Sequence, residues 1–322
     1  MKILFFYLLL AIPTALNAQW GPDTKLSTNE VSANLSENMG QSIVAVGSTV
    51  HIVWADSGID SGAIFYKRSL DGGVTWGPDT KISAPSGHDS FPLLAVSGNY
   101  VHVVYLENGD TPQAASYYKR STDGGNTWGP SVFLATTTWW GSVAAVGSNV
   151  YIDMETKSTP TNSNVFFIRS TDNGNTWSAQ TQISNKANGR SEDPAIAAEG
   201  SSVDLVWNDS RDTYPGKGMA VYYRHSSDSG VTWGPETALT HAPAFTYFPS
   251  IFLNGPNVDV PYGTRQGASG VYQLGYQNST NLGSTWTTPQ QLTNTTAGIM
   301  YPSVVRDGSN VHLVWGTNLV VP

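Results

Sequence analysis

Ser121-Thr122-Asp123-Gly124-Gly125-Asn126-Thr127-Trp128-Gly129-Pro130 returns through the chain in recognisable copies. Its core, Ser-x-Asp-x-Gly-x-Thr-Trp, recurs at Ser69–Trp76, Ser170–Trp177 and Ser226–Trp233, and a fifth copy at Ser279–Trp286 carries Asn281 in place of the aspartate. Asp71, Asp123, Asp172 and Asp228 follow one another at 52, 49 and 56 residues, and Asn281 comes 53 later. A period near 50 residues signals stacked or radial repeats. The carboxylate can accept from nearby backbone N–H groups and the glycine can take positive φ, so each copy reads as a tight turn joining two strands. The tryptophan is expected to bury against the next repeat and join the units.

This signature resembles the Asp-box, or bacterial neuraminidase, repeat of the sialidase superfamily, whose members are β-propellers. The resemblance implies that the turns are structural and lie on the face away from the active site. Arg68, Arg120, Arg169 and Arg224, just ahead of the four complete copies, read as part of the same repeat.

The flanking sequence fills out a blade. Trp20–Ser27 nearly duplicates Trp76–Ser83, so it is expected to be the last strand of a repeat whose beginning lies elsewhere. Alternating or apolar pairs of strands are expected at Ile43–Trp54, Leu93–Tyr105, Val143–Met154, Ile196–Trp207, Ile251–Tyr262 and Val304–Trp315. The expected fold is all-β, a six-bladed β-propeller closed by pairing of the N-terminal strand with the C-terminal blade. Such closure removes open sheet edges. Only seven residues follow Trp315, so the sixth blade is expected to have at most a stub third strand at Leu319–Val321.

Met1–Ala18 joins Lys2, an apolar run and a small-residue end, and is expected to be a secretory signal, leaving 19–322 as one propeller and no integral membrane segment. The 322 residues contain no cysteine, which excludes a disulfide framework and thiolate chemistry. Removing Lys2 from the 16 basic residues leaves 15 against 24 acidic, a net charge of −9. That argues against nucleic acid as a partner. No zinc, EF-hand or phosphate-loop pattern is present, so no metal and no cofactor is expected. His51, His102 and His312 share one place in three second strands and read as inter-strand residues.

Off-pattern residues gather on the face opposite the turns. After the second strands come Asp56, Asp60, Glu107, Asp110, Glu155, Asp209, Arg211, Asp212 and Arg265. Ahead of the first strands come His88, Asp89, Trp139, Trp140, Arg190, Glu192, Asp193, Tyr247 and Tyr301. If the resemblance extends to activity, it implies three arginines gripping a sugar carboxylate, a tyrosine nucleophile helped by a glutamate, and an aspartate acid/base. Arg190, Arg211 and Arg265 could form the grip, with Tyr301 or Tyr247, Glu107 or Glu155, and Asp56 or Asp60 in the other roles. The family's first arginine stands two before a proline. Here Ser90, Glu192, Tyr247 and Met300 occupy that position. The expectation is therefore a secreted, monomeric, non-catalytic propeller that binds an extracellular glycan or other surface polymer through Trp139, Trp140, Tyr247 and Asp212. An exo-sialidase is the alternative.

Overall fold

The computed structural model describes residues 25–27, 33–34, 41–56, 62–83, 88–109, 111–159, 161–185, 189–211, 219–241, 244–266 and 270–318. Among them there is no helix, and the strands form six antiparallel sheets. The second sheet shows the plan: Asp89–Ser97, Tyr100–Glu107, Ala115–Ser121 and Val132–Thr136 lie side by side in chain order. The sixth has two described strands, Gly298–Asp307 and Asn310–Asn318. Leu319–Val321 and Trp20–Asp23 lie outside the described residues.

First and second strands are joined at glycines that need positive φ, such as Gly98 at +58°. Second strands such as Tyr100–Glu107 are buried on both faces, which explains their near-continuous apolar runs. The fourth strands are shorter than the expected run from Trp to Ser. In four of the sheets they are two-residue strands, such as Thr80–Lys81 and Thr237–Ala238. In these two sheets the preceding residues include Pro78 or Pro235, which has no N–H to give a ladder.

Each of the first five sheets packs on the one that follows. Val53, Ile64 and Tyr66 meet Leu94, Val103 and Tyr105 in one apolar layer, and Tyr118 meets Val150, Ile152 and Met154 in the next. First-strand residues Val44, Val96, Val143, Ile196 and Leu253, from five successive sheets, line one cavity of about 180 Å³. Leu26 packs beside Ile52, Trp54, Phe65 and Trp76 of the first sheet, and Lys67 Nζ donates to its carbonyl at 2.5 Å.

The repeated turn is built the same way each time. Ser121 Oγ donates to Asp123 Oδ1 (2.7 Å) and accepts from Gly125 N–H (2.8 Å). Thr127 N–H donates to Oδ1 (2.8 Å) and its hydroxyl to Oδ2 (2.6 Å). The tryptophan packs against the preceding repeat, which corrects the expected direction. Trp128 meets Tyr66 edge to face at 4.9 Å, and Trp177 meets Tyr118 at 4.8 Å. The arginine ahead of one turn reaches forward to the next: Arg68 to the Gly124 carbonyl (2.5 Å) and Arg120 to the Asn173 carbonyl (2.5 Å).

These hydrogen bonds hold the turn carboxyls below the usual range. Thr75 hydroxyl and N–H lower Asp71 to about 2, and Thr127 does the same to Asp123. Asn281 keeps the geometry with one bond reversed, because its Nδ2 donates to Thr285 Oγ1 (2.8 Å). Asn281→Asp is therefore expected to leave melting near neutral pH little changed. Because the same hydrogen bonds would hold its carboxyl below the unfolded value near 4, the variant is expected to lose stability relative to the wild type as pH falls from about 4 toward 2. Acid melts of the two proteins check this.

Candidate functional site

A strained bulge opens several first strands at the end opposite the turns. Phe91, Asp193, Phe248 and Tyr301 each precede a proline and have φ of 53°, 52°, 55° and 49°. Non-glycine residues seldom sit there, and residues before proline favour extended backbone. The strand register shifts across Ser90/Leu93, Glu192/Ala195 and Met300/Ser303. Bulges of this kind re-aim side chains and favour functional sites.

Around Asp193 the third, fourth and fifth sheets bring carboxyls and cations together. Asp193 is buried and accepts from Asn208 Nδ2 at 2.8 Å. Burial pushes its carboxyl up to about 7, reinforced by Glu192 and opposed by Asn208. Glu155 is fully buried, and burial with the Glu192 and Asp193 charges raises it well above the carboxylate range. Burial raises Glu192 too, against Arg190 and Lys157. Arg190 Nε lies 3.2 Å from Glu192 Oε1, and Lys157 Nζ lies 3.9 Å from Glu155 Oε1. The same ammonium sits 3.2 Å over the Trp139 ring, a cation–π contact. Burial thus shifts all three carboxyls of this group upward.

Tyr247 stands beside it. Its ring meets Tyr272 edge to face at 5.5 Å and Phe248 at 5.8 Å, while Phe248 meets Tyr301 at 4.4 Å. Burial raises the Tyr247 hydroxyl despite Arg190 and Arg265. A phenol held protonated is a poor nucleophile. The Arg265 guanidinium lies 4.8 Å from the Phe245 ring and 4.7 Å from the Tyr272 ring, with no carboxylate at ion-pairing distance among the described residues.

Arg211 stands apart. It donates to Asp209 Oδ2 at 2.7 Å, pairs with Glu236 and covers the Tyr222 ring at 4.4 Å. Asp56, Glu107 and Asp209 occupy one repeat position, opposite Ala63, Ala115 and Ala220. Asp209 is consumed by Ser191, Trp207 and Arg211. Asp56 is buried in the first sheet, and Glu107 faces Asp89 in the second. Asp60, Asp110, Asp212 and the side chain of Trp140 lie outside the described residues. His51 and His102 bond Tyr66 and Tyr118 across the strands at 2.7 and 2.6 Å. Sequence reasoning missed Lys157, Asn208 and Tyr272. Lys157 follows Glu155 by two residues at the end of a second strand, which was a usable signal.

No family model and no curated protein matches the chain. Solved structures do. An ulvan lyase, a polysaccharide lyase bound to -[GlcA(1-4)Rha3S]-, matches with TM-score 0.62 and 11% identity over 90% of this chain and 82% of its own. A Hadza microbial sialidase matches with TM-score 0.54 and 16% identity over 83% of this chain. Trypanosoma rangeli sialidase in complex with sialic acid matches with TM-score 0.53 and 14% identity over 86%. The chain spans 60% and 51% of those two sialidases. At these identities the likeness shows the fold, a sialidase-like β-propeller. No helix among the described residues is long and apolar enough to cross a membrane.

Proposed function

We propose that residues 19–322 form a closed six-bladed propeller of the Asp-box type, exported by the 1–18 signal, that binds an acidic extracellular glycan without cleaving it. Three observations support closure. Five first strands line one cavity. Leu26 meets Trp54 and Phe65 as Ile82 meets Tyr105 of the following sheet. Lys67 donates to the Leu26 carbonyl as Arg224, at the same repeat position, donates to the Ile183 carbonyl (2.7 Å). The N-terminal segment thus takes the place of a preceding blade's outer strand.

The observation that carries the function is Arg265. Its charge is held between two rings, with no carboxylate at ion-pairing distance among the described residues, beside Tyr247 and within the electrostatic reach that Arg190 shares. A sugar carboxylate suits that fork, and Trp139 and Tyr247 offer faces for the ring. Arg211, spent on Asp209 and Glu236, is absent from the grip. Hydrolysis is the second reading, favoured by Asp193 and Glu155, whose carboxyls burial raises. A panel of uronate, sialylated, sulfated and neutral glycans, read for binding and for product, separates the two. Retention of carboxylated members without turnover is expected. Release of sugar from any member would overturn the non-catalytic reading.

A further inference from the structure

The fifth sheet lacks a side chain that the four before it carry. In the first, second and fourth sheets an aromatic on the third strand stacks on an aromatic of the second. Phe65 covers Trp54 at 5.8 Å, Tyr117 covers Tyr105 at 5.9 Å and Tyr222 covers Trp207 at 5.9 Å. In the third sheet Phe166 lies opposite Met154. The fifth has Gly275 opposite Tyr262. A Cβ on Gly275 would fall 2.3 Å from the Tyr262 ring, so that ring lies in the space the missing side chain would take.

Three further exchanges empty the outer flank between the fourth and fifth sheets. Between the third and fourth, Arg224 donates from Nη1 to the Ile183 carbonyl and from Nε to the Gly234 carbonyl, both at 2.7 Å. Asp209 and Glu236 hold Arg211 over Tyr222. One repeat on, Gln277 stands in place of Arg224 and makes only the second of its bonds, Nε2 to the Thr287 carbonyl at 3.0 Å. Its Oε1 accepts from the Tyr262 hydroxyl at 3.2 Å. Pro289 stands in place of Glu236, and Thr264 in place of Asp209. These exchanges leave a hollow of about 560 Å³ whose lining includes Leu239, Tyr262, Thr264, Gln277, Trp286 and Gln290. The corresponding hollow one sheet earlier is walled by Arg224 and Glu236 and does not reach Trp233. Here Trp286 is part of the wall, and no Asp, Glu, Lys or Arg among the described residues lines it.

We propose that this hollow is a second ligand site, on the flank of the propeller, and that it takes one neutral pyranose unit of a polysaccharide. The indole of Trp286 supplies a broad apolar face, which suits the C–H face of a sugar ring. Amide and hydroxyl side chains donate and accept, as sugar hydroxyls do. Gln290 and Thr288 stand exposed at the rim for that purpose. The Leu239 carbonyl occupies the place where the Ile183 carbonyl accepts its guanidinium, and a ligand hydroxyl can donate there. The volume is that of a small-ligand site. A carboxylated or sulfated unit is disfavoured, because its charge would find no opposite charge in the wall. The inference is independent of the Arg265 grip and of ring closure, since both walls belong to the fourth and fifth sheets, which pack on each other.

The test titrates maltotetraose, cellotetraose and mannotetraose, three neutral probes, into the isotope-labelled full chain and follows the Trp286 indole and Gln277 side-chain signals. Saturable shifts of both are expected with at least one probe, at a Kd of about 0.1–10 mM. Gln277→Arg, which restores the side chain of the fourth sheet, should weaken that binding at least about tenfold and keep the melting temperature. Gln290→Ala, at an exposed position, is the second variant and should weaken it about two- to tenfold. No saturable shift with any of the three probes overturns the site, as does unchanged affinity in Gln290→Ala together with a folded Gln277→Arg. Shifts centred on Tyr247 and Tyr272 would put the sugar at the mouth and overturn it too. Glucuronate that shifts Trp286 as strongly as the best neutral probe would overturn the neutral selectivity.

Discussion

Gly125→Ala is expected to lower stability far more than Gly73→Ala, although the two glycines occupy the same place in successive turns. Their φ values are alike, +89° and +91°, so both substitutions force a side chain into the left-handed region. That shared term is about 1–2 kcal/mol. The neighbours differ. A Cβ at Gly125 falls 2.0 Å from the Tyr66 hydroxyl oxygen and 2.4 Å from its Cζ. Tyr66 cannot retreat freely, because its hydroxyl bonds His51 and its ring meets Trp128. Overpacking adds roughly 1–3 kcal/mol at Gly125 alone. Denaturant melts of the two variants isolate that difference, and Gly174→Ala should behave like Gly125→Ala. Equal losses at Gly125 and Gly73 would mean that the contact between a turn and the preceding sheet contributes nothing.

Asp153→Asn is expected to stabilise the chain at pH 8 and not at pH 4. Asp153 is fully buried between the third and fourth sheets, where Ser142 Oγ donates to it at 2.8 Å and accepts from Ile196 N–H at 2.8 Å. Burial pushes its carboxyl up to about 7 against the Ser142 bonds. A folded pKa above the unfolded value of about 4 means that the folded state binds the proton more tightly. Its stability contribution is complete below pH 4 and is lost as pH rises through 7. At full ionisation the loss is roughly 4 kcal/mol. An amide never ionises but makes poorer bonds to Ser142, offsetting about 1 kcal/mol. Asp193 acts in the same direction. His51 and His102, lowered by burial to about 4, act oppositely and lose stability as pH falls from about 6.5. A difference between wild type and variant that stays constant from pH 4 to 8 would show that Asp153 does not titrate in the fold.

The repeat made the fold legible, because Ser, Asp, Gly, Thr and Trp each have a separate task in the turn and none can be exchanged silently. Asn281 is the instructive exception, since an amide keeps the acceptor at Thr285 N–H and reverses only one bond. The packing partner of the tryptophan was not legible, since sequence order does not say whether a turn leans forward or back. The site was legible by residue type and face but not by partner. Arg211 and Arg265 stand at similar points of successive repeats. Asp209 and Glu236 capture the first, while Thr264 replaces that aspartate in the next sheet and Phe245 and Tyr272 hold the second. Nothing in the local sequence marks the left-handed residues before Pro92, Pro194, Pro249 and Pro302, because that strain is imposed by the sheet.

The most direct measurement is calorimetric titration of an uronate-bearing oligosaccharide into the full chain and into Arg265→Gln, at low and at physiological salt. Loss of a charge-assisted pair predicts that affinity falls by about 10–100-fold. Salt should weaken binding to the wild type and have little effect on the variant. An unchanged affinity in Arg265→Gln, with its melting temperature preserved, would contradict the assignment of this arginine as the group that holds the ligand.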